Sequence, residues 1–189
     1  MEEAEAISHN LGIMVAGKLK CYGPLNAIQQ EYGLGYDISI NLNMVSLFDE
    51  IPEPDQENRF TNNRDEVKNL LNSIKNTWTR SNHAMSLDPE EEFSRAGILG
   101  VYHSKVAKGE NIDLMAIRKE VVFQNTIGCI CNELSEKASE ASVIQLDGNN
   151  AQIRLSKNEK TYGFMFGLLE RMKRNYHIRE YSCQQSTLE

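Results

Sequence analysis

Apolar and polar positions alternate along Tyr36–Leu42, where Ile38, Ile40 and Leu42 are interleaved with Asp37, Ser39 and Asn41. A period of two sends successive side chains to opposite sides, so this segment predicts a strand with one covered face and one wet face. Two further runs, Val143–Leu146 and Ala151–Leu155, flank Asp147-Gly148-Asn149-Asn150. Asp-Gly between alternating apolar runs predicts a β-hairpin. The period then changes. Between Thr161 and Tyr176 the apolar positions are Met165, Leu168, Leu169, Met172 and Tyr176, with Phe164 and Phe166 adding bulk at the start. Spacings of three and four predict an amphipathic helix, and its Met and Phe stripe reads as a packing face against a sheet. A last strand is predicted over Arg179–Gln185.

Upstream, Ile13-Met14-Val15, a turn at Ala16-Gly17 and the return Lys18–Tyr22 predict a hairpin over Leu11–Tyr22. Gly23-Pro24 breaks it and opens a short helix, Leu25–Tyr32, ended by Gly33-Leu34-Gly35. The acidic Met1–Ser8 reads as the first turns of a helix. In the middle, Asp49–Asn63 carries Pro52 and Pro54 and reads as a linker. Arg64–Arg80 places Val67, Leu70, Leu71, Ile74 and Trp78 on one helical face, with Trp78 as a packing anchor. After a loop at Ser81–Leu87, Asp88-Pro89 and the acids Glu90–Glu92 start a helix that ends by Lys108-Gly109. Asn111 is expected to cap a third helix reaching about Lys137, through Leu114, Ile117, Val121, Val122, Ile127, Ile130 and Leu134. Its apolar residues are too broad for one face, so it is covered on more than one side or broken near Gly128.

Strand Tyr36–Leu42, the helix ending near Lys137, the hairpin, the helix Thr161–Tyr176 and the last strand form the order β-α-β-β-α-β. The expected fold class is therefore α+β, a ferredoxin-like domain with two helices over one face of a four-stranded sheet. Ile38/Ile40/Leu42, Ile144/Leu146 and Ile153/Leu155 supply its apolar face. The expected division is a hairpin and helix over residues 1–34, then a domain over 35–189 with a helical insertion at about 49–110. Residues 1–34 have too little apolar surface to form a core alone.

Composition narrows the function classes. A 189-residue chain with 40% hydrophobic and 25% charged residues fits a globular protein. Its net charge of −7 disfavours long-range attraction to nucleic acid or an anionic lipid surface. Lys173-Arg174 is the obvious basic pair and lies on the polar face of its helix. Cys21, Cys129, Cys131 and Cys183 form no CxxC pair, and Cys129 and Cys131 point to different helical faces. They read as buried free thiols in a reducing compartment. There is no apolar run long enough to span a membrane and no secretion signal. His83 and His103 share no metal-holding spacing, and Gly33 and Gly35 fit neither GxGxxG nor GxxxxGK[ST]. No paired carboxylates or nucleophile–base pair emerge at a usable spacing. No catalytic, cofactor-binding or metal-ligating residue is assigned.

Both ends carry more specific signals. Met1–Glu5, Ile13–Val15, Gly17–Leu19, Cys21–Gly23 and Tyr32–Tyr36 occur in the order seen at the end of a nucleotide-binding domain of ATP-binding cassette (ABC) transporters. The resemblance is to subfamily A, the lipid exporters. Leu168–Glu170, Lys173, Ile178, Glu180–Ser182 and Thr187–Glu189 resemble the C-terminal regulatory domain of the same family, which is also ferredoxin-like. The middle is unmatched. The resemblance implies a fragment cut at both ends: the tail of a nucleotide-binding domain plus a regulatory domain, on the cytosolic face of an integral membrane transporter. ATP and magnesium would belong to the full-length parent. This chain lacks the Walker A loop, the LSGGQ-type signature and the Walker B strand, and the switch histidine would lie upstream of Met1. The implied partners are the remainder of the nucleotide-binding domain and the opposite regulatory domain. The alternative expectation is a stand-alone ferredoxin-like binding or dimerisation module.

Overall fold

The computed structural model describes residues 7–25, 27–28, 35–49, 59–80, 99–156 and 160–185. Outside these lie Met1–Ala6, most of the expected helix Leu25–Tyr32, the glycine cap at Gly33, the prolines of the linker, His83, the Asp88-Pro89 helix start and Thr187–Glu189. The described chain is mixed helix and strand, and all of its sheets are antiparallel.

The first unit is a lone hairpin, β1 (Asn10–Val15) with β2 (Lys18–Pro24). Ala16 and Gly17 turn it with φ of 51° and 75°, the left-handed pair that matches strand twist in a two-residue connection. Met14, Val15, Leu19 and Tyr22 remain exposed on it.

The main sheet begins at β3 (Gly35–Leu42), where the alternation does what its period predicts. Tyr36, Ile38, Ile40 and Leu42 are buried, while Asp37, Ser39 and Asn41 face the other way. β6 (Ala141–Asp147), β7 (Asn150–Ser156) and β8 (Ile178–Gln185) complete a sheet in the order β6-β7-β3-β8. The β3–β7 register sets Ile38 opposite Ile153 and Ile40 opposite Ala151, so the two central strands share one apolar face. Full burial of each such aliphatic side chain is worth about 1.5–3 kcal/mol.

The edge strand β6 departs from the expected alternation. The register slips between Val143 and Gln145, leaving one extra residue, Ile144. Such a bulge inverts the phase of the residues beyond it. Val143 pairs with Ile153 and Leu146 with Ala151, yet only Leu146 packs against the core, and Val143 and Ile144 are both about half exposed. The Ile144/Leu146 pair is therefore not the apolar face of β6.

Between β3 and the long helix come α1 (Met44–Phe48), β4 (Phe60–Thr61), α2 (Arg64–Arg80), α3 (Gly100–Ala107) and β5 (Ile112–Asp113). The helix α1 and the two short strands are absent from the pattern of apolar positions. Asn63 caps α2, its side chain accepting from Asp65 N at 3.0 Å. Val67, Leu71, Ile74 and Trp78 are buried, and α2 packs against α4 (Leu114–Lys137). The cap of α4 is Asp113, not Asn111, because Ile112–Asp113 pairs with Phe60–Thr61 and the Asp113 carboxylate accepts from Met115 N at 2.9 Å. That ladder starts α2 and α4 side by side. Arg59 clamps it through Asp113, at 2.7 Å from Nη2 and 3.1 Å from Nε. α4 is continuous through Gly128, and its broad apolar surface is covered by the sheet on one side and by α2 on another.

α5 (Tyr162–Asn175) is capped by Thr161, whose hydroxyl accepts from Phe164 N at 3.3 Å. Met165, Leu168, Leu169 and Met172 enter the same cluster as the β3, β7 and α4 side chains. Phe164 and Phe166 do not, so the packing face of α5 is its Met and Leu side chains alone. No helix among the described residues is long and apolar enough to cross a membrane.

Candidate functional site: the open face of the sheet

Because α4 and α5 share one side of the sheet, the polar set of each strand is left on the other. Register brings these sets together across four strands. Ser39 lies between Gln152 on β7 and Ser182 on β8, and Asn41 lies between Asn150 and Glu180. With Gln145 of β6 they line a groove of about 410 Å³, rimmed by Asp147 and Glu180. Its volume falls at the lower end of the range for ligand sites, and most of its lining residues have polar side chains.

One end of this face is neutralised. Arg154 grips Asp37 with two parallel hydrogen bonds, Nε to Oδ1 at 2.8 Å and Nη2 to Oδ2 at 3.1 Å. In the groove itself, Asn41 Nδ2 donates to Asn150 Oδ1 at 2.6 Å, which fixes both carboxamides. The lining residues include the carboxylates Asp147 and Glu180 and no lysine, arginine or histidine. Such a surface can accept and donate hydrogen bonds and favour positive charge.

Two thiols and a phenol of the domain are held in their neutral forms. Cys183 faces the core opposite Ile38, and burial pushes its thiol up to about 11. Burial and a 2.7 Å hydrogen bond to Glu170 push the Tyr181 hydroxyl up to about 12, so it stays a donor. Burial likewise raises Cys131 to about 11. Of the four cysteines only Cys129 is fully buried; the others are half-buried, and all are free thiols.

The sequence features considered for chemistry do not converge here. Gly35 serves packing: its backbone lies against the Leu155 carbonyl. Lys173 extends over the Tyr181 ring at 5.9 Å. His103 lies half-buried on α3. Among the described residues, no three His, Cys, Asp or Glu side chains gather in a way that could hold a metal. The groove residues carry no motif in the sequence. Their only signal is the wet side of each alternating run, which does not say which wet positions meet.

No protein-family model matches the chain. A stretch of 42 residues is 43% identical to the protein named "Cholesterol transporter ABCA5" in Rattus norvegicus, and the same values hold for ABCA5 of Mus musculus and Homo sapiens. That stretch is 22% of this chain but only 3% of each relative, so the chain spans a small part of the curated relatives it matches. A short stretch of the chain is thus similar to an ABC transporter of subfamily A.

Proposed function

We infer that the chain is the C-terminal part of an ABC transporter of the subfamily A type, with residues 35–189 forming a ferredoxin-like regulatory domain. The observation that carries this reading is the 43% identity over 42 residues to ABCA5. The strand order supports the fold part. α4 carries the chain from β3 to β6 past β7, and α5 carries it from β7 to β8 past β3. Two interlocked crossovers of this kind are what a β-α-β-β-α-β chain produces when both helices pack on one side. The lone hairpin β1–β2 supports the remainder. A two-stranded sheet is marginal in water, and an uncovered Met14, Val15, Leu19 and Tyr22 suit a strand pair completed by other sequence.

In this reading ATP and magnesium bind elsewhere in the parent, which moves lipid at the expense of ATP. The present portion sits on the cytosolic side and acts by contact with the opposite regulatory domain, for which the polar face of the sheet is available. Sequencing the transcript upstream of Met1 tests it. The expected result is an open reading frame carrying GxxxxGK[ST] and LSGGQ-type motifs. An in-frame stop directly before Met1 overturns it. Calorimetry of the isolated chain with magnesium and ATP is expected to give no micromolar binding.

A stand-alone ferredoxin-like binding or dimerisation module is the second reading, and the groove of about 410 Å³ within one sheet favours it. A symmetric dimer at micromolar concentration, measured by sedimentation, would support that reading over the first.

A further inference from the structure

The first turns of α5 carry large aromatic side chains that the other described residues leave partly exposed. Tyr162, Phe164 and Phe166 are 41%, 37% and 42% exposed, whereas Met165, Leu168, Leu169 and Met172 on the same helix are at 0%. Two of these rings, Tyr162 and Phe166, join a row with Tyr36 and Tyr181. Tyr162 meets the edge of Tyr36 at 5.2 Å between centroids and lies near-parallel to Phe166 at 6.4 Å, and Phe166 meets Tyr181 at 6.0 Å. The tyrosine hydroxyls are already engaged. Tyr36 Oη donates to Lys160 O, Tyr162 Oη accepts from Gln185 N, and Tyr181 Oη donates to Glu170 Oε1, each at 2.7 Å. What these residues offer to solvent is therefore ring surface.

The patch has walls and a rim. Phe164 and Phe166 stand on either flank of the outward line of α5, which at Gly163 and Gly167 carries no side chain to obstruct an approach. A Cβ would meet nothing within 4 Å at Gly167, and at Gly163 only Thr161 Oγ1 at 3.9 Å. At the rim, Lys160 Nζ lies 5.0 Å from the Phe164 ring and Lys173 Nζ 5.9 Å from the Tyr181 ring. The nearby carboxylate of Glu170 is taken by Tyr181. In a chain of net charge −7, this is an aromatic surface bordered by cations.

We propose that this face of α5 docks an acidic amphipathic segment of another protein, whose apolar side chains cover Phe164 and Phe166 while its carboxylates meet Lys160 and Lys173. Aromatic centres with a charged rim are the usual make-up of a protein-binding surface. Charge complementarity chooses the occupant. A second copy on a two-fold axis would have to set acidic groups of this same face against the lysines, and its carboxylate, Glu170, is held by Tyr181. An anionic lipid surface would repel the chain as a whole. The surface is independent of whether the chain belongs to a transporter.

The test is selection of helix-length peptides from a displayed random library against the whole chain, with binding then measured by fluorescence anisotropy. The expected winners carry apolar residues at i, i+3, i+4 and i+7 flanked by Asp and Glu. Phe164→Ser with Phe166→Ser is expected to weaken them about tenfold or more, and Lys160→Glu with Lys173→Glu to weaken them and flatten their salt dependence. These positions are partly exposed, so circular dichroism should show both variants folded. Selection of basic or charge-free peptides overturns the proposal, as does binding unchanged in the Phe164/Phe166 variant. Two further outcomes overturn it: capture of the chain by phosphatidylserine vesicles through these residues, and a dimer that the Phe variant abolishes.

Discussion

Gly35 is where β3 joins the sheet, and replacing it with alanine tests how that sheet is held. Its φ is +132°, a region that side chains other than glycine's rarely adopt. An added Cβ would fall 1.9 Å from Leu155 O, 2.8 Å from Ser156 C and 2.9 Å from Leu155 C. All three are backbone atoms of β7, so no rotamer change relieves the clash. The start of β3 must swing away, opening the Gly35–Ser156 pair of the ladder. Forcing such a backbone conformation costs about 1–3 kcal/mol. Each ladder hydrogen bond lost adds about 1 kcal/mol. Gly35→Ala should therefore destabilise by about 2–4 kcal/mol, a fall in Tm of about 5–15 °C for a chain of this size. Urea and thermal unfolding monitored by circular dichroism measure it. Gly148→Ala is the control, since Gly148 has φ of +60° but open space around its Cβ, and it should cost about 1 kcal/mol. Gly167→Ala, in a helix with open space, should stabilise by about 0.5–1 kcal/mol. If Gly35→Ala melts within about 2 °C of the parent, or no lower than Gly148→Ala, the close approach of β3 to β7 is not what the backbone geometry says.

The core, the clamp and the thiols each give a further expected outcome. Leu168→Ala, at a position with no exposure, should cost about 2–5 kcal/mol in urea unfolding, more than any substitution on the exposed flank of α5. The hydrogen bond from Arg59 holds the Asp113 carboxyl below its ordinary 3.8. That contribution is fully present above the unfolded pKa and is lost as pH falls through the folded one, so Asp113→Asn should flatten the acid limb of the stability curve below about pH 4. With Cys131 and Cys183 raised to about 11, about one thiol in a thousand is ionised at pH 8, so alkylation at these sites in the native protein should be far slower than in urea. Comparable rates in the two conditions would contradict their burial.

The pattern of apolar positions was enough to place elements whose periodicity is strong. Tyr36–Leu42 emerges as Gly35–Leu42, Thr161–Tyr176 as Tyr162–Asn175 with Thr161 as its cap, and Arg64–Arg80 keeps its bounds. Period and capping are local: neighbouring side chains and the first free N–H groups determine them, and the sequence states both directly. Helix α1 and the two-residue strands β4 and β5 are too short for a period to show, and the cap of α4 moved to Asp113 because a strand some 50 residues away holds Ile112 extended. The one-residue slip at Ile144 is likewise a property of the β6–β7 pair and not of β6. Phe164 and Phe166 read as part of the packing stripe of the helix, yet the space beneath α5 is filled by Met165, Leu168, Leu169 and Met172, which leaves the rings at the surface. The polar groove is the least readable feature. Ser39, Asn41, Gln145, Asn150, Gln152 and Ser182 come from four strands, and only the order β6-β7-β3-β8 makes them neighbours. Sequence by itself determined which positions face inward or outward within each element. Tertiary structure decided which outward positions share a surface, because strand order and register are set by contacts between residues far apart in the chain.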